Sequence, residues 1–241
     1  MKEKKLMKKG KRLDGRGKED LRDITIEAGK LKRADGSAYL EWGGNKIIAA
    51  VYGPRECFPR HQRSPYKARL DYYYRLAPFS VEDRANPKPS RRGIEISKVS
   101  AEALSDVVFL EYFPNTTIDV YTVVLQAQAG TRCAALTAAS VALADAGIPM
   151  KGLMPSCAAG KIEGEVVLDL SKDEDQCGEA DLPIAYLPNK DEITLMQMDG
   201  DMTPKEYEEA VDLAVEGCMK VYEIQKKALK EKYSQFNEGG E

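Results

Sequence analysis

The stretch Gln126-Ala127-Gln128-Ala129-Gly130-Thr131-Arg132 constrains the fold most, because a β-rich run, Thr117 to Leu125, stops there and a helix starts at once. That helix, Arg132 to Ala146, is rich in alanine and serine, which suits close packing against a sheet. The junction also suits an anion. The first turn of a helix has backbone N–H groups without intrahelical partners and carries the positive end of the macrodipole, so several donors converge on one oxyanion. Gly130 lets the backbone approach closely, while Thr131 and Arg132 add a hydroxyl and a cation. An ordinary strand-to-helix turn needs the same glycine, so the junction alone leaves both readings open.

The flanking pattern predicts an α+β fold in which mixed and antiparallel sheets pack against helices. Asp23 to Ala28, Ser37 to Trp42 and Lys46 to Tyr52 read as strands, with Gly43-Gly44-Asn45 as a hairpin turn. Arg55 to Pro65 mixes prolines with cations and reads as a basic loop; Asp71 to Pro78 returns to strand character. From Ser90, a residue suited to an N-cap, the apolar positions Ile94, Ile96, Val99, Ala103, Leu104, Val107 and Val108 follow a helical period. Beyond Gly147 and Pro149, the segments Ala158 to Ile162, Glu165 to Leu170, Ala180 to Leu187 and Ile193 to Met198 predict two more hairpins. A long C-terminal helix begins at the capping box Thr203-Pro204-Lys205-Glu206 and runs to about Lys232. The expected organisation is a mobile basic tail over 1–11, one domain over 12–232 with similar halves at 12–150 and 151–232, and a mobile tail over 233–241.

Net charge is only −3, yet Arg55, Arg60, Arg63, Lys67, Arg69, Arg75, Arg84, Lys88, Arg91 and Arg92 crowd one middle stretch, which allows a local polyanion site. The five cysteines lack the paired spacings of zinc sites or disulfide frameworks and read as free thiols in a reducing compartment. No apolar run approaches a membrane span, and no apolar h-region follows the Lys-rich start, so the expectation is a soluble, cytoplasmic protein with no membrane partner. A single histidine, His61, excludes most Ser/His and Cys/His schemes and every multi-histidine metal site.

Chemistry therefore falls to three elements: Gly130-Thr131-Arg132; Ser90-Arg91-Arg92, whose planar guanidiniums offer forks to phosphate oxygens; and the acidic run Asp173 to Asp181. Asp175 and Asp181 are six residues apart and would share a face if the segment were extended. The combination fits phosphoryl transfer: a bound phosphate neutralised by arginines and helix N–H groups attacks, and a carboxylic acid protonates the departing oxygen. Asp175 or Asp181 can be that acid, or both can hold a divalent ion such as Mg²⁺.

Leu125 to Arg132, Pro89-Ser90-Arg91-Arg92, Asp145-Ala146-Gly147-Ile148-Pro149-Met150, Asp173 to Asp181, Leu13-Asp14-Gly15-Arg16 and Tyr52 to Glu56 together resemble the RNase PH family, most closely its catalytic archaeal-exosome subunits. The resemblance runs from about Arg12 to Lys226, and it implies an RNase PH-like fold and a 3′→5′ exoribonuclease. Such an enzyme uses inorganic phosphate as co-substrate, releases nucleoside diphosphates, and runs backwards to add RNA tails. It implies that Gly130, Thr131, Arg132 and Arg92 bind phosphate, that Arg91, Arg92, Arg60 and His61 contact RNA, and that Asp175 is the general acid with Asp181 its partner at an acidic or metal site. The implied partners are RNA, a non-catalytic RNase PH-like paralogue alternating in a hexameric ring, and RNA-binding cap proteins. Two other readings stay open: a non-catalytic RNA-binding ring subunit, and a stand-alone enzyme trimming transfer-RNA 3′ ends. The chain departs from the pattern at Gln128, where the family usually has aspartate, and at Pro183, where related phosphorylases have lysine.

Overall fold

The computed structural model describes residues 6, 7 and 11–234 in full and 8 and 235–238 by their backbone. The chain opens with a small antiparallel ribbon, β1 (Met7–Lys8) with β2 (Lys11–Arg12). A first sheet follows from β3 (Ile24–Ala28), β4 (Gly36–Trp42), β5 (Asn45–Glu56) and β6 (Arg69–Leu76), then, after helix α1 (Arg91–Val107), β7 (Thr116–Gln126). Its order is β3-β4-β5-β7-β6, antiparallel throughout except that β6 lies parallel to β7. A parallel neighbour needs a crossover, and α1 supplies it. Ser90 caps that helix by accepting from Gly93 N (3.0 Å).

Helix α2 (Thr131–Asp145) leaves the end of β7 and is buried on every side from Cys133 to Leu143. A helix with small residues all round belongs in the middle of a fold. Here that requirement is visible at Gly36, where an added Cβ would lie 2.3 Å from Ala142 O, so α2 rests directly on the backbone of the first sheet. On its other side lies the second sheet, built from β8 (Ser156–Ile162) and β9 (Glu165–Leu168) and, after the short helix α3 (Lys172–Cys177), β10 (Ala180–Leu187), β11 (Glu192–Met196) and β12 (Asp199–Gly200). Its order is β11-β10-β8-β9, with β12 paired to the start of β10.

Helix α4 (Pro204–Glu238) closes the core with Ala210, Ala214, Cys218, Val221 and Ala228 buried. Its buried Gln225 donates to Thr137 O (3.0 Å) and Lys232 pairs with Asp145, so α4 is also tied to α2. All five cysteines are free, and only Cys177 is exposed. Among the described residues no helix is long and apolar enough to cross a membrane.

The α+β architecture and the long last helix agree with the sequence reading; three details differ from it. Of the expected mobile tail over 1–11, residues 1–5, 9 and 10 lie outside the described residues, but Leu6 and Met7 are buried against Ile162, Val167 and Leu170. The run of lysines hides an apolar pair with a seat on the second sheet. At the other end α4 continues through Glu238, past the expected limit at Lys232; residues 239–241 lie outside the described residues. Asp175 and Asp181 are not on one extended segment: Asp175 sits in α3 and Asp181 begins β10, because Ser171 and Glu174 form a capping box that turns the acidic run into a helix.

Candidate active site

The starts of α1 and α2, helix α3 and strands of the second sheet converge on a cavity of about 640 Å³. Arg92 enters it from the start of α1, Gly130, Thr131 and Arg132 from the start of α2, Asp175 from α3, and Asp181 from β10, with Asp199 of β12 beside it. Six of the residues singled out from the sequence therefore share one space. Arg91, Arg60 and His61 do not line it: Arg91 is exposed at the α1 start, and Arg60 and His61 sit on an exposed single turn, Arg60–Gln62.

Gly130 holds φ 67° and ψ 23°, the left-handed region that glycine enters without steric cost, and this bend aims the first N–H groups of α2 at the cavity. Two clamps fix the bend from behind. Asn45 Oδ1 accepts from Gln128 N (2.7 Å), and Arg22 Nη2 donates to Ala129 O (3.2 Å). Arg22 is itself held by Asp169, accepting through Oδ1 from Nη2 (2.6 Å) and through Oδ2 from Nε (2.9 Å); Trp42 Nε1 donates to the same Oδ2 (3.0 Å). Burial pushes the Asp169 carboxyl up, but Arg22 and Trp42 more than offset this and hold it below the usual range. Gln128 turns away from the cavity: its Oε1 accepts from Gly44 N (2.9 Å) in the β4–β5 turn. An amide oxygen performs that acceptor role as a carboxylate would, so the departure at this position leaves the anion-facing surface unchanged.

Arg132 is positioned from two directions. Its Nη2 donates to Glu95 Oε2 (3.2 Å) on α1, Nη1 donates to Gln197 Oε1, and Gln197 Nε2 donates in turn to Glu95 Oε1 (2.7 Å). Its buried Nε has no protein partner, which leaves one donor for an anion in the cavity that Arg132 lines. From outside the cavity lining, Tyr74 OH donates to Thr131 Oγ1 (2.8 Å).

The carboxylates are set apart by their surroundings. Strand register places Asp181 directly opposite Asp199 on one side and Gly160 on the other. Burial, then the negative charge of Asp175, push the Asp181 carboxyl up to about 7; Arg132 and Arg92 pull it down, and Asp199 adds to the rise. Asp175 is exposed on α3, whose capping-box residue Glu174 is gripped by buried Arg12 through Nε (2.9 Å) and Nη2 (2.5 Å). Among the described residues no group of three or more His, Cys, Asp or Glu side chains is arranged to hold a metal ion. The two aspartates do suit Mg²⁺ of the kind that takes one or two carboxylates and completes its shell with water and substrate phosphate.

Tyr74, Glu95, Gln197, Arg22, Asp169, Arg12 and Glu174 were not singled out by sequence reasoning. Of these only Glu174 carried a local signal, the Ser171-x-x-Glu174 capping pattern; the others meet their partners across 37 or more residues.

The sequence profile of the 3′ exoribonuclease family, RNase PH, matches residues 20–149 with its first domain and 152–217 with its second. The chain belongs to the RNase PH family of 3′ exoribonucleases. Within that family it is 60% identical over 224 residues to exosome complex component Rrp41 of Methanopyrus kandleri, covering 93% of this chain and 94% of that protein. It is 59% identical over 235 residues to Rrp41 of Thermococcus onnurineus, covering 96% and 94%. Among solved structures, rice (Oryza sativa) Rrp46 superposes with a TM-score of 0.82 at 25% identity, over 91% of this chain and all of that one. A chain of the Archaeoglobus fulgidus exosome with RNA bound to the active site superposes at 0.78 and 22% identity, over 88% and 92%, which establishes the shared RNase PH-like fold.

Proposed function

We propose that this chain is the catalytic subunit of an archaeal-type exosome, a phosphate-dependent 3′→5′ exoribonuclease that shortens single-stranded RNA to nucleoside diphosphates and adds tails in reverse. One observation carries the reading: an anion-binding helix start, Arg92, Arg132 and an aspartate pair line a single cavity. Inorganic phosphate sits at the α2 start, held by the N–H groups beyond Gly130, the Thr131 hydroxyl and the guanidiniums of Arg132 and Arg92. These donors neutralise its charge and place one oxygen for in-line attack on the terminal phosphodiester. The bond from phosphorus to the 3′ oxygen of the penultimate nucleotide breaks, the aspartate pair gives that oxygen a proton, and the terminal nucleotide leaves as a diphosphate.

The pair is suited to this because burial and mutual repulsion keep one proton on it near neutral pH; an apparent pKa of about 7 on Asp181 makes Asp181 the holder of the proton in the resting site, with Asp175 the exposed partner nearer the solvent side. When that proton is absent, Asp175 and Asp181 would instead be able to hold Mg²⁺, which would supply charge neutralisation at the transferring phosphoryl group. Arg91, Arg60 and His61 lie outside the cavity on exposed segments and serve as contacts along the approaching RNA.

The identity to Rrp41 proteins supports assembly with a non-catalytic RNase PH-like paralogue in a hexameric ring, with RNA-binding caps, in the cytoplasm. The test is 5′-labelled single-stranded RNA incubated with the assembled ring, with and without phosphate. Phosphate-dependent shortening with diphosphate products is expected; equal shortening without phosphate, or monophosphate products, contradicts the mechanism. Native mass measurement of the chain alone and mixed with the paralogue tests the ring.

A further inference from the structure

Outside the cavity lining, but bonded to one of its residues, lies a group that neither the sequence motifs nor the roles above include. Tyr74, on β6, is 3% exposed, and its backbone is fixed to α1 where Tyr74 N donates to Ser97 Oγ (3.0 Å). Its ring packs beside Gly93, in the first turn of the helix that carries Arg92. From this seat its hydroxyl reaches the first residue of the other helix and donates to Thr131 Oγ1 (2.8 Å). A single phenol thus bridges the two helix starts that line the anion-binding end of the cavity.

A phenol is a stronger acid than an aliphatic alcohol, so Tyr74 is the favoured donor in this pair and Thr131 the acceptor. A threonine hydroxyl has one hydrogen and two lone pairs. When Tyr74 fills a lone pair, the Thr131 hydrogen is left to point elsewhere, and Thr131 lines the cavity together with the guanidiniums of Arg92 and Arg132. An anion can use that hydrogen and cannot use a lone pair. Burial pushes the Tyr74 phenol up, against the downward pull of its bond to Thr131 and of Arg92 and Arg132, so it stays protonated and remains a donor across the neutral range.

We propose that Tyr74 is a positioning residue for the attacking phosphate: its hydroxyl orients the Thr131 hydroxyl as a hydrogen-bond donor into the cavity. The inference rests on the phosphate reading of this site.

The test uses the full chain in its assembled ring, with calorimetric titration of inorganic phosphate alongside steady-state phosphorolysis of single-stranded RNA. Tyr74→Phe keeps the ring and removes the hydroxyl. It is expected to raise both the Kd and the KM for phosphate about 3- to 10-fold, the scale of one hydrogen bond, and to leave the KM for RNA unchanged. In a Thr131→Val background Tyr74→Phe should add nothing, because its partner is already gone. Thr131→Ser, which keeps the hydroxyl, should bind phosphate within about 2-fold of wild type. This arm remains informative even if Tyr74→Phe fails to fold. The inference is overturned if Tyr74→Phe binds phosphate as wild type does, if the Tyr74→Phe and Thr131→Val effects multiply, if the RNA KM rises in step with the phosphate KM, or if Thr131→Ser loses as much affinity as Thr131→Val. A wild-type ring that binds no phosphate would instead overturn the phosphate reading itself, and the role of Tyr74 with it.

Discussion

Arg12 donates to both carboxylate oxygens of Glu174, at 2.9 Å and 2.5 Å, and neither side chain has any exposed surface. The same guanidinium donates to Leu168 O (2.6 Å) and Asp169 O (2.8 Å), so an N-terminal residue ties the end of β9 to the helix that bears Asp175. Removing one partner of a buried pair strands the other, which costs about 3–5 kcal/mol. Arg12→Ala is therefore expected to lose stability on that scale in urea denaturation and to lose phosphorolysis through a displaced α3. Arg12→Met combined with Glu174→Met should recover much of the stability; equal loss in the single and double variants would argue against a stranded charge.

The same pair predicts acid sensitivity. Burial pushes Glu174 up, but Arg12 and the Ser171 N–H more than offset it, so its carboxyl lies below the ordinary 4.5. A carboxylate depressed in the folded state contributes stability above its unfolded pKa and loses it as pH falls through the folded value. Asp169, depressed below 3.8, behaves alike. The wild-type melting temperature should fall more steeply below about pH 4 than that of the Arg12→Met/Glu174→Met variant, as followed by calorimetry from pH 3 to 7.

Asp181 has the opposite sign. Its carboxyl is raised from 3.8 to about 7, so the folded state favours the neutral acid: that contribution is full below pH 3.8 and is lost as pH rises through 7. Asp181→Asn, neutral at every pH, should melt roughly 2–6 °C above wild type at pH 8, with the gain vanishing near pH 4. Its phosphorolysis should be lost, and wild-type turnover should decline above about pH 7 as the proton is given up. A melting difference independent of pH would remove Asp181 as the titrating group.

Gln128 binds the Gly44 N–H from outside the cavity. Gln128→Asp preserves the acceptor and is expected to keep turnover within about 3-fold, whereas Gln128→Ala should cost about 1 kcal/mol of stability. A large gain in turnover for Gln128→Asp would mean that a carboxylate at this position acts in the chemistry.

Arg60 lies on an exposed turn and does not line the cavity. As a phosphate contact along the RNA path, Arg60→Ala should weaken RNA binding about evenly across sequences and flatten the log-affinity against log-salt slope by about 0.7–1. An unchanged slope in a salt titration would exclude the contact.

Local patterns in the chain marked most of the elements and several of the residues that meet in the cavity. Period and punctuation marked the strands, the capped starts of α1 and α4, and the Gly130 junction, because these depend on local backbone preferences and on neighbours a few residues away. For the same reason Arg92, Thr131, Arg132, Asp175 and Asp181 were legible: each sits beside a turn or helix start that announces itself. Only the tertiary structure decided what surrounds them. That Asp199 faces Asp181 depends on strand register, that Arg12 reaches Glu174 spans 162 residues, and that Tyr74 meets Thr131 depends on β6 lying beside β7 rather than at another edge. Long-range polar pairing leaves no periodic trace in a chain, because any arginine, tyrosine or aspartate reads alike until packing removes its water and assigns its partner.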